Sequence, residues 1–102
     1  MTYCKIKPVC NQIELNPQCT QTELVKFCLA KDIRPVAYSP VARPSAGGTD
    51  LRINPYLMQL AWKHGKSTVQ IMLNWGLCKG HVVIPKAANF EHQLENLDVF
   101  DF

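Results

Sequence analysis

Three parts of the sequence carry side chains that could bind a ligand, each at or near the end of an apolar segment. They are Asn11 with Gln12, Tyr38 with Ser39, and Lys86. Amide groups can both donate to and accept from a ligand carboxamide, and a tyrosine ring offers a flat face to a planar ligand. Hydroxyl and ammonium groups can bind phosphate oxygens. The three parts form one binding site if the fold brings them to a common edge.

Each of these groups also has a purely structural interpretation. The adjacent amides of Asn11 and Gln12 could form a hydrogen-bonding network among strand ends, and Tyr38 could lie in the core with its hydroxyl bonded to backbone. Lys86 could be a solvated surface lysine. A helix is predicted to begin soon after it, however, and a helix N-terminus favours anions. Convergence of all three parts on one edge would favour the functional interpretation.

The sequence gives little support to metal or nucleophilic chemistry. Its three histidines and five cysteines share no metal-ligand spacing, so we expect no metal site. We also expect no nucleophilic triad built on His64 or His81. Glu14 has no acidic partner at another predicted strand end, so a glycosidase-type carboxylate pair is not expected.

Three predicted strands determine where the candidate groups lie. Apolar and polar residues alternate over residues 9–15, and short apolar segments cover 33–38 and 81–85. Strands that alternate with helices imply a parallel sheet with right-handed crossovers. In such sheets the chemistry lies at the carboxyl ends of the strands. We therefore expect all three groups of candidate residues to lie at the same edge of the sheet.

Capping signals predict the helices between and after these strands. The apolar face of the first helix is expected to contain Leu24, Phe27 and Cys28. The segment 40–52, with its proline and glycine residues, is expected to be a lid or a binding loop. The helices are predicted to begin at Thr20-Gln21-Thr22-Glu23, Asn54-Pro55, Ser67-Thr68-Val69-Gln70 and Asn89.

Length and composition limit the class of protein. The 102 residues are 47% hydrophobic and 19% charged, which is typical of a globular chain but too short for a closed (β/α)₈ barrel of roughly 200 residues. A net charge of +3 without a basic run does not indicate nucleic-acid binding. No apolar stretch approaches the roughly 18 residues of a membrane span. With no leader pattern and no disulfide framework, we expect a cytoplasmic protein with reduced thiols.

Four motifs occur in order along the chain and together resemble the C-terminal half of an aldo-keto reductase. The resemblance implies an α/β fold, namely a partial (β/α)₈ TIM barrel of about three parallel strands with crossover helices. Residues 1–102 would then be a single C-terminal segment of an NADP-dependent oxidoreductase domain. The motifs are Asn11-Gln12-Ile13-Glu14, Ala37-Tyr38-Ser39-Pro40, Val83-Ile84-Pro85-Lys86 and Val99-Phe100-Asp101-Phe102.

The resemblance implies that this chain binds NADP through these motifs. At the nicotinamide end, Asn11 and Gln12 would bind the carboxamide, and Tyr38 would stack against the ring. The pyrophosphate would be embraced by residues after the second strand, namely Ser39, Val41 and Arg43.

At the other end of the cofactor, the resemblance implies that Lys86 pairs with the 2′-phosphate and that Glu95 and Asn96 hold the adenine. Val41-Ala42 replaces the family's usual Leu-Gly, and two further positions at this end of the cofactor depart from the family pattern. Ala87 stands where a serine is common, and His92 stands where an arginine usually contacts the adenine and the 2′-phosphate. Histidine is mostly neutral at pH 7, whereas arginine is always charged. We therefore expect weaker cofactor binding and a less secure preference for NADPH over NADH.

The resemblance also implies the reaction. The full enzyme would reduce an aldehyde or ketone to an alcohol by hydride transfer from NADPH. The family's catalytic Tyr, Lys, His and Asp lie in its N-terminal half, so we expect no catalytic residue in this truncated chain and no activity from it alone. The alternative is a non-catalytic binding or interaction protein, because three strands leave two unpaired edges and an uncovered face that favour self-association.

Overall fold

The computed structural model describes residues 3–42, 44 and 50–102 of the chain. A three-stranded sheet is formed by β1 (Cys10–Glu14), β2 (Arg34–Tyr38) and β3 (Val82–Val83). Both strand pairs are parallel, and the order β1-β2-β3 follows the sequence. The predicted α/β fold is therefore confirmed. The helices are α1 (Thr22–Ala30), α2 (Pro55–His64), α3 (Thr68–Cys78) and α4 (Phe90–Leu97), with a 3₁₀-helix over Leu51–Ile53.

The third strand is shorter than the predicted segment 81–85. After Val83, the Ile84 N–H donates to the carbonyl of Ala37 at 3.2 Å. The next residue is Pro85, which has no N–H to continue the ladder. The chain therefore leaves the sheet at the point where the segment containing Lys86 begins.

The two faces of the sheet have opposite environments. Ile13, Leu15, Ala37 and Val83 pack with Val25 of α1 in one hydrophobic cluster. The helix α3 approaches this face so closely that a Cβ at Gly76 would lie 2.8 Å from Cγ1 of Val83. Successive residues of a strand point to opposite faces, so the residues between these lie on the other side of the sheet.

The other face is open, and its side chains are exposed in this structure. Tyr38 is 44% exposed, Val82 is 44% exposed and Ile84 is 45% exposed, although all three are large and apolar. Gln12 and Glu14 are also exposed. We call these five residues the open face.

A second cluster joins the region after β2 to the helices. Ala42, Leu51 and Met72 are buried together, with Val41 and Leu57 packed against them. This cluster holds the 3₁₀-helix and α2 against α3. It thereby brings the segment around Arg52 close to the start of α3.

Three of the four predicted helix starts are confirmed by their hydrogen bonds. The Asn54 side chain accepts from two N–H groups of α2, and the Asn89 side chain accepts from the N–H of His92 in α4. Ser67 and Gln70 form a reciprocal capping box at α3. These caps fix the ends of the helices that border the candidate site. No helix of the described residues is long and apolar enough to cross a membrane.

The predicted capping box of α1 is wrong. Its N-cap is Gln21, in a left-handed conformation with φ 41°, and no side chain caps the helix. The Gln21 side-chain amide instead donates to the carbonyl of Glu14 at 2.6 Å. This bond to the last residue of β1 fixes Gln21 at the position where α1 begins. The helix also packs against the sheet with a different face from the one predicted, since Phe27 is 53% exposed while Val25 and Cys28 are buried. The prediction of Phe27 on the apolar face is therefore wrong as well.

Candidate functional site

Gln12 and Tyr38 lie on the open face. In the parallel register, Gln12 aligns with Val36 and Glu14 aligns with Tyr38, so the amide and the ring belong to neighbouring strands of one surface. Aligned residues of paired strands point to the same face. This part of the site can therefore present an amide beside an exposed aromatic ring.

Asn11 lies on the opposite face of the same strand. Its Nδ2 is 3.7 Å from Sγ of Cys28 in α1, and its side chain is half-buried. Adjacent residues of a strand point in opposite directions, so the structure does not bring Asn11 together with Gln12 and Tyr38. The two amides that the resemblance assigns to one carboxamide are separated by the thickness of the sheet.

The turn after β2 is held in an uncommon backbone conformation. Ser39 has φ 48° and Ala42 has φ 52°, both in the left-handed region that non-glycine residues rarely adopt. Strained backbone of this kind is found often at binding sites, where the surrounding structure must maintain it. The Ala42 N–H donates to the Ser39 carbonyl at 3.0 Å. This turn contains Val41, whereas Arg43 lies outside the described residues.

Buried Asn16 maintains this turn. It is 1% exposed, and its Nδ2 donates to the Ser39 carbonyl at 3.2 Å. Its Oδ1 accepts from the Gln18 N–H at 2.9 Å. Asn16 therefore ties the end of β1 to the turn after β2. Sequence reasoning missed this role, although Asn16 stands directly before Pro17, at the point where the first strand was predicted to stop.

A cavity of about 300 Å³ lies beside Lys86. It is bordered by the turn after β2, the 3₁₀-helix, the start of α3, the segment after β3, and α4. The structure thus brings together the remaining residues of the predicted set, which are far apart in sequence. The lining residues are Val41, Arg52, Ser67, Val69, Pro85, Lys86, His92, Glu95 and Asn96.

Gln70 of α3 holds the end of α4 that borders this cavity. It is 5% exposed, and its Nε2 donates to the carbonyls of Glu95 at 3.1 Å and Asp98 at 3.0 Å. Its Oε1 accepts from the Ser67 N–H at 2.8 Å. One buried side chain therefore caps α3 and anchors the C-terminal end of α4.

Two residues near Gln70 in sequence continue this contact, namely Asn74 on the same face of α3 and Lys66 before the helix begins. Asn74 donates from Nδ2 to the carbonyls of Val99 and Phe102, both at 3.0 Å. Lys66, just before α3, pairs with Asp98 at 2.8 Å and with Asp101 at 3.0 Å. Residues four apart share one face of a helix. We call Lys66, Gln70 and Asn74 the α3 clamp.

The ion pairs of the clamp shift the pKa values of their members. The pKa of Lys66 is raised by its hydrogen bond to Asp98 and then by its bond to Asp101. The pKa of Asp101 is lowered by the hydrogen bond from Lys66. Both shifts favour the charged forms, so Lys66 and Asp101 stay ionised at neutral pH.

Arg52 is the cavity residue that sequence reasoning missed. It forms an ion pair with Asp50, with 2.8 Å between Nη2 and Oδ2. The hydrogen bond from Arg52 lowers the pKa of Asp50, and the same bond raises the pKa of Arg52. No motif marks this arginine in the sequence. Its place in the site follows from the packing of the 3₁₀-helix against α3.

The comparisons with known proteins decide the family. The model of the aldo/keto reductase family matches residues 1–102. The chain belongs to the aldo/keto reductase family. It is 39% identical over 102 residues to aldose reductase C of Dictyostelium discoideum, covering 100% of this chain and 31% of that protein. It is 36% identical over 107 residues to the NADP-dependent D-sorbitol-6-phosphate dehydrogenase of Malus domestica, covering 100% of this chain and 34% of that protein.

Solved structures of aldo-keto reductases give the same result. The Bombyx mori aldo-keto reductase in complex with NADP superimposes with a TM-score of 0.91 at 40% sequence identity. The match covers 99% of this chain and 34% of that one. This chain therefore spans about a third of the length of the reductases it matches. The resemblance drawn from the four motifs is confirmed at the level of family and fold.

Within residues 3–42, 44 and 50–102, no group of three or more His, Cys, Asp or Glu side chains could hold a metal ion. The described residues place an amide and an aromatic ring on the open face, and cations at the cavity beside Lys86. These groups suit a ligand with a planar amide and phosphate groups.

Proposed function

We propose that this chain supplies NADP(H)-binding residues of an aldo-keto reductase that reduces an aldehyde or ketone to an alcohol. The observation that carries the proposal is that the open face and a cavity at the carboxyl ends of β2 and β3 present two complementary groups of residues. One group is the amide and ring of Gln12 and Tyr38, and the other is the cavity that contains Lys86. The related Bombyx mori enzyme was solved with NADP, which supports a nicotinamide cofactor here.

The residues present fit the nicotinamide and the pyrophosphate. Gln12 would hydrogen-bond the carboxamide, and the exposed ring of Tyr38 would stack on the nicotinamide. Ser39 and Val41 in the strained turn, with Arg43, would border the pyrophosphate. When bound, NADPH supplies the hydride for the reaction. Asn11 would support β1 from the helix side rather than contact the cofactor.

The cavity beside Lys86 fits the adenosine end. Lys86 would pair with the 2′-phosphate, His92 would lie beside it, and Glu95 and Asn96 would contact the adenine. The α3 clamp would keep these α4 residues in place through the carbonyls of Glu95 and Asp98. A site whose residues are already held in place loses less conformational entropy when its ligand binds.

We also propose that the chain contains no catalytic residue and is a single C-terminal segment of the reductase domain. The catalytic Tyr, Lys, His and Asp of the family would lie in the part of its relatives that this chain does not span. We also propose reduced thiols and a cytoplasmic location, since Cys10, Cys19, Cys28 and Cys78 are not in disulfides.

Titration of the chain with NADPH tests cofactor binding. We expect saturable binding, followed by cofactor fluorescence or calorimetry, and a weakening of roughly fivefold in Tyr38→Ala, because one stacking contact is worth about 1 kcal/mol. Tyr56→Ala is the matched control, since Tyr56 is an exposed tyrosine of α2 outside the proposed site. Absence of binding by both NADPH and NADH would overturn the proposal.

An activity assay tests the absence of catalytic residues. We expect no consumption of NADPH with a generic aldehyde under conditions in which the cofactor is bound. Turnover by the chain alone would contradict the proposal that the proton donor lies elsewhere. The carbonyl substrate would be sought only with a protein that also contains the remaining two thirds of the relatives' length.

A second candidate is a non-catalytic interaction protein derived from a truncated reductase. The open face favours this possibility, because Tyr38, Val82 and Ile84 are exposed side by side on one surface. Exposed apolar patches and unpaired strand edges promote association. Light scattering should then show self-association that rises with concentration. A stable monomer at high concentration would count against this candidate.

A further inference from the structure

The cavity beside Lys86 has one more permanent cation than the sequence motifs predict. Arg52 of the 3₁₀-helix lines it together with Lys86 and His92. Among the described residues that line the cavity, Glu95 is the one acid. Arginine is charged at every accessible pH, whereas histidine is mostly neutral near pH 7. The permanent positive charge at this cavity therefore comes from Arg52 and Lys86.

Local contacts hold the main chain of Arg52 beside the cavity. Its N–H donates to Oδ1 of Asp50 at 3.0 Å, and its carbonyl accepts from Oγ1 of Thr68 at 2.9 Å. The preceding residue, Leu51, is buried in the cluster with Met72. A residue whose main chain is already fixed loses less conformational freedom when its side chain binds a ligand.

The ion pair with Asp50 orients the guanidinium and leaves donors available. Nε of Arg52 is 3.0 Å from Oδ1, and Nη2 is 2.8 Å from Oδ2. A guanidinium has five N–H groups, of which these bonds use two. The other three have no acceptor among the described residues. Arg52 can therefore keep its partner Asp50 and still donate to an anion.

We propose that Arg52 binds the 2′-phosphate of NADPH and thereby determines the preference for NADPH over NADH. The proposal rests on the proposed function. The planar fork of an arginine can donate two parallel hydrogen bonds to a phosphate, whereas Lys86 acts as a point charge. NADH carries a hydroxyl in place of this phosphate. The contribution of Arg52 is therefore confined to NADPH.

The test is titration of the full chain and of Arg52→Gln with NADPH and with NADH. We expect the Kd of NADPH to rise about five- to tenfold in the variant, as for loss of a charge-assisted hydrogen bond at an exposed site. The Kd of NADH should stay within about twofold of its starting value. Arg34→Gln is the matched control, because Arg34 begins β2 and donates to the Gly80 carbonyl instead. It should bind both cofactors as the unchanged chain does.

The possible failures are distinguishable. If the unchanged chain binds neither cofactor, the proposed function fails. If it binds NADPH but Arg52→Gln weakens both cofactors equally, or neither, the role of Arg52 is overturned while the proposed function stands. Circular dichroism and a thermal melt of both variants show that any loss is not a loss of folding. A selective loss for NADPH in a folded Arg52→Gln chain supports the proposal.

Discussion

The two ends of the proposed cofactor site are constructed differently. Gln12 and Tyr38 belong to β1 and β2, and the register of these paired strands places both on one face. Lys86 and Arg52 come from separate segments that meet only around the cavity. Backbone pairing suffices to form the nicotinamide end, whereas the phosphate end depends on side-chain contacts between distant parts of the chain. Substitutions at the two ends of the site should therefore differ in their effects on stability and on cofactor affinity.

The largest effect is expected from Gln70→Ala, which removes the centre of the α3 clamp. The substitution leaves the carbonyls of Glu95 and Asp98 and the N–H of Ser67 without the bonds that Gln70 makes. Loss of several bonds at a buried site should lower the free energy of unfolding by about 2–4 kcal/mol. Chemical denaturation measures this loss. Gln59→Ala, at an exposed position of α2, should change stability by less than about 0.5 kcal/mol.

Gln12→Ala tests the nicotinamide end. Loss of one amide contact should weaken NADPH and NADH alike, by roughly fivefold, because both cofactors carry the carboxamide. Asn11→Ala should leave both affinities within about twofold, since Asn11 faces α1 and contacts Cys28. Equal losses in the two variants, measured by the same titration, would contradict the separation of the two amides by the sheet.

His92→Arg tests the phosphate end in the opposite direction. A second permanent guanidinium at the cavity should tighten NADPH by roughly threefold and leave NADH unchanged, because the proposed site would place the new charge beside the 2′-phosphate. Parallel titrations with the two cofactors measure the difference. Tightening of NADH to the same extent would show that the effect is not specific to that phosphate.

The smallest effect concerns the pH dependence of the α3 clamp. The pKa of Asp101 is lowered in the folded chain by Lys66, so its contribution is complete above its unfolded pKa of about 3.9 and is lost as pH falls through the folded value. Melting temperatures between pH 7 and pH 3 should therefore fall less steeply in Lys66→Met than in the unchanged chain. Burial lowers the pKa of His81 in both proteins, so its titration cancels in the comparison. Equal slopes would contradict this role of Lys66.

Local signals in the sequence predict the strands and most of the helix ends. The alternation over residues 9–15 predicts β1, and the Asn54, Ser67 and Asn89 caps form as expected. These features depend on neighbouring residues in the chain, which is why a sequence pattern contains them. The family follows from the four ordered motifs for the same reason.

The same kind of signal fails where a distant segment competes. Thr20 and Glu23 have the spacing of a capping box, but Gln21 is held by the carbonyl of Glu14 and becomes the N-cap instead. Phe27 has helical spacing with Leu24, yet it is exposed because α1 turns Val25 and Cys28 to the sheet. A tertiary contact changes the helix start and its orientation in ways that spacing cannot show.

The sequence by itself determined the parallel α/β fold, the family, and the residue types available to a nicotinamide cofactor. Only the tertiary structure decided which of Gln12 and Asn11 shares the face of Tyr38, and that Arg52 lines the cavity with Lys86. The physical reason is the range of the interactions. Strand alternation and helix caps act between near neighbours, whereas the site also depends on Gln70 and Asn74 of α3, which bind backbone groups 25 residues away.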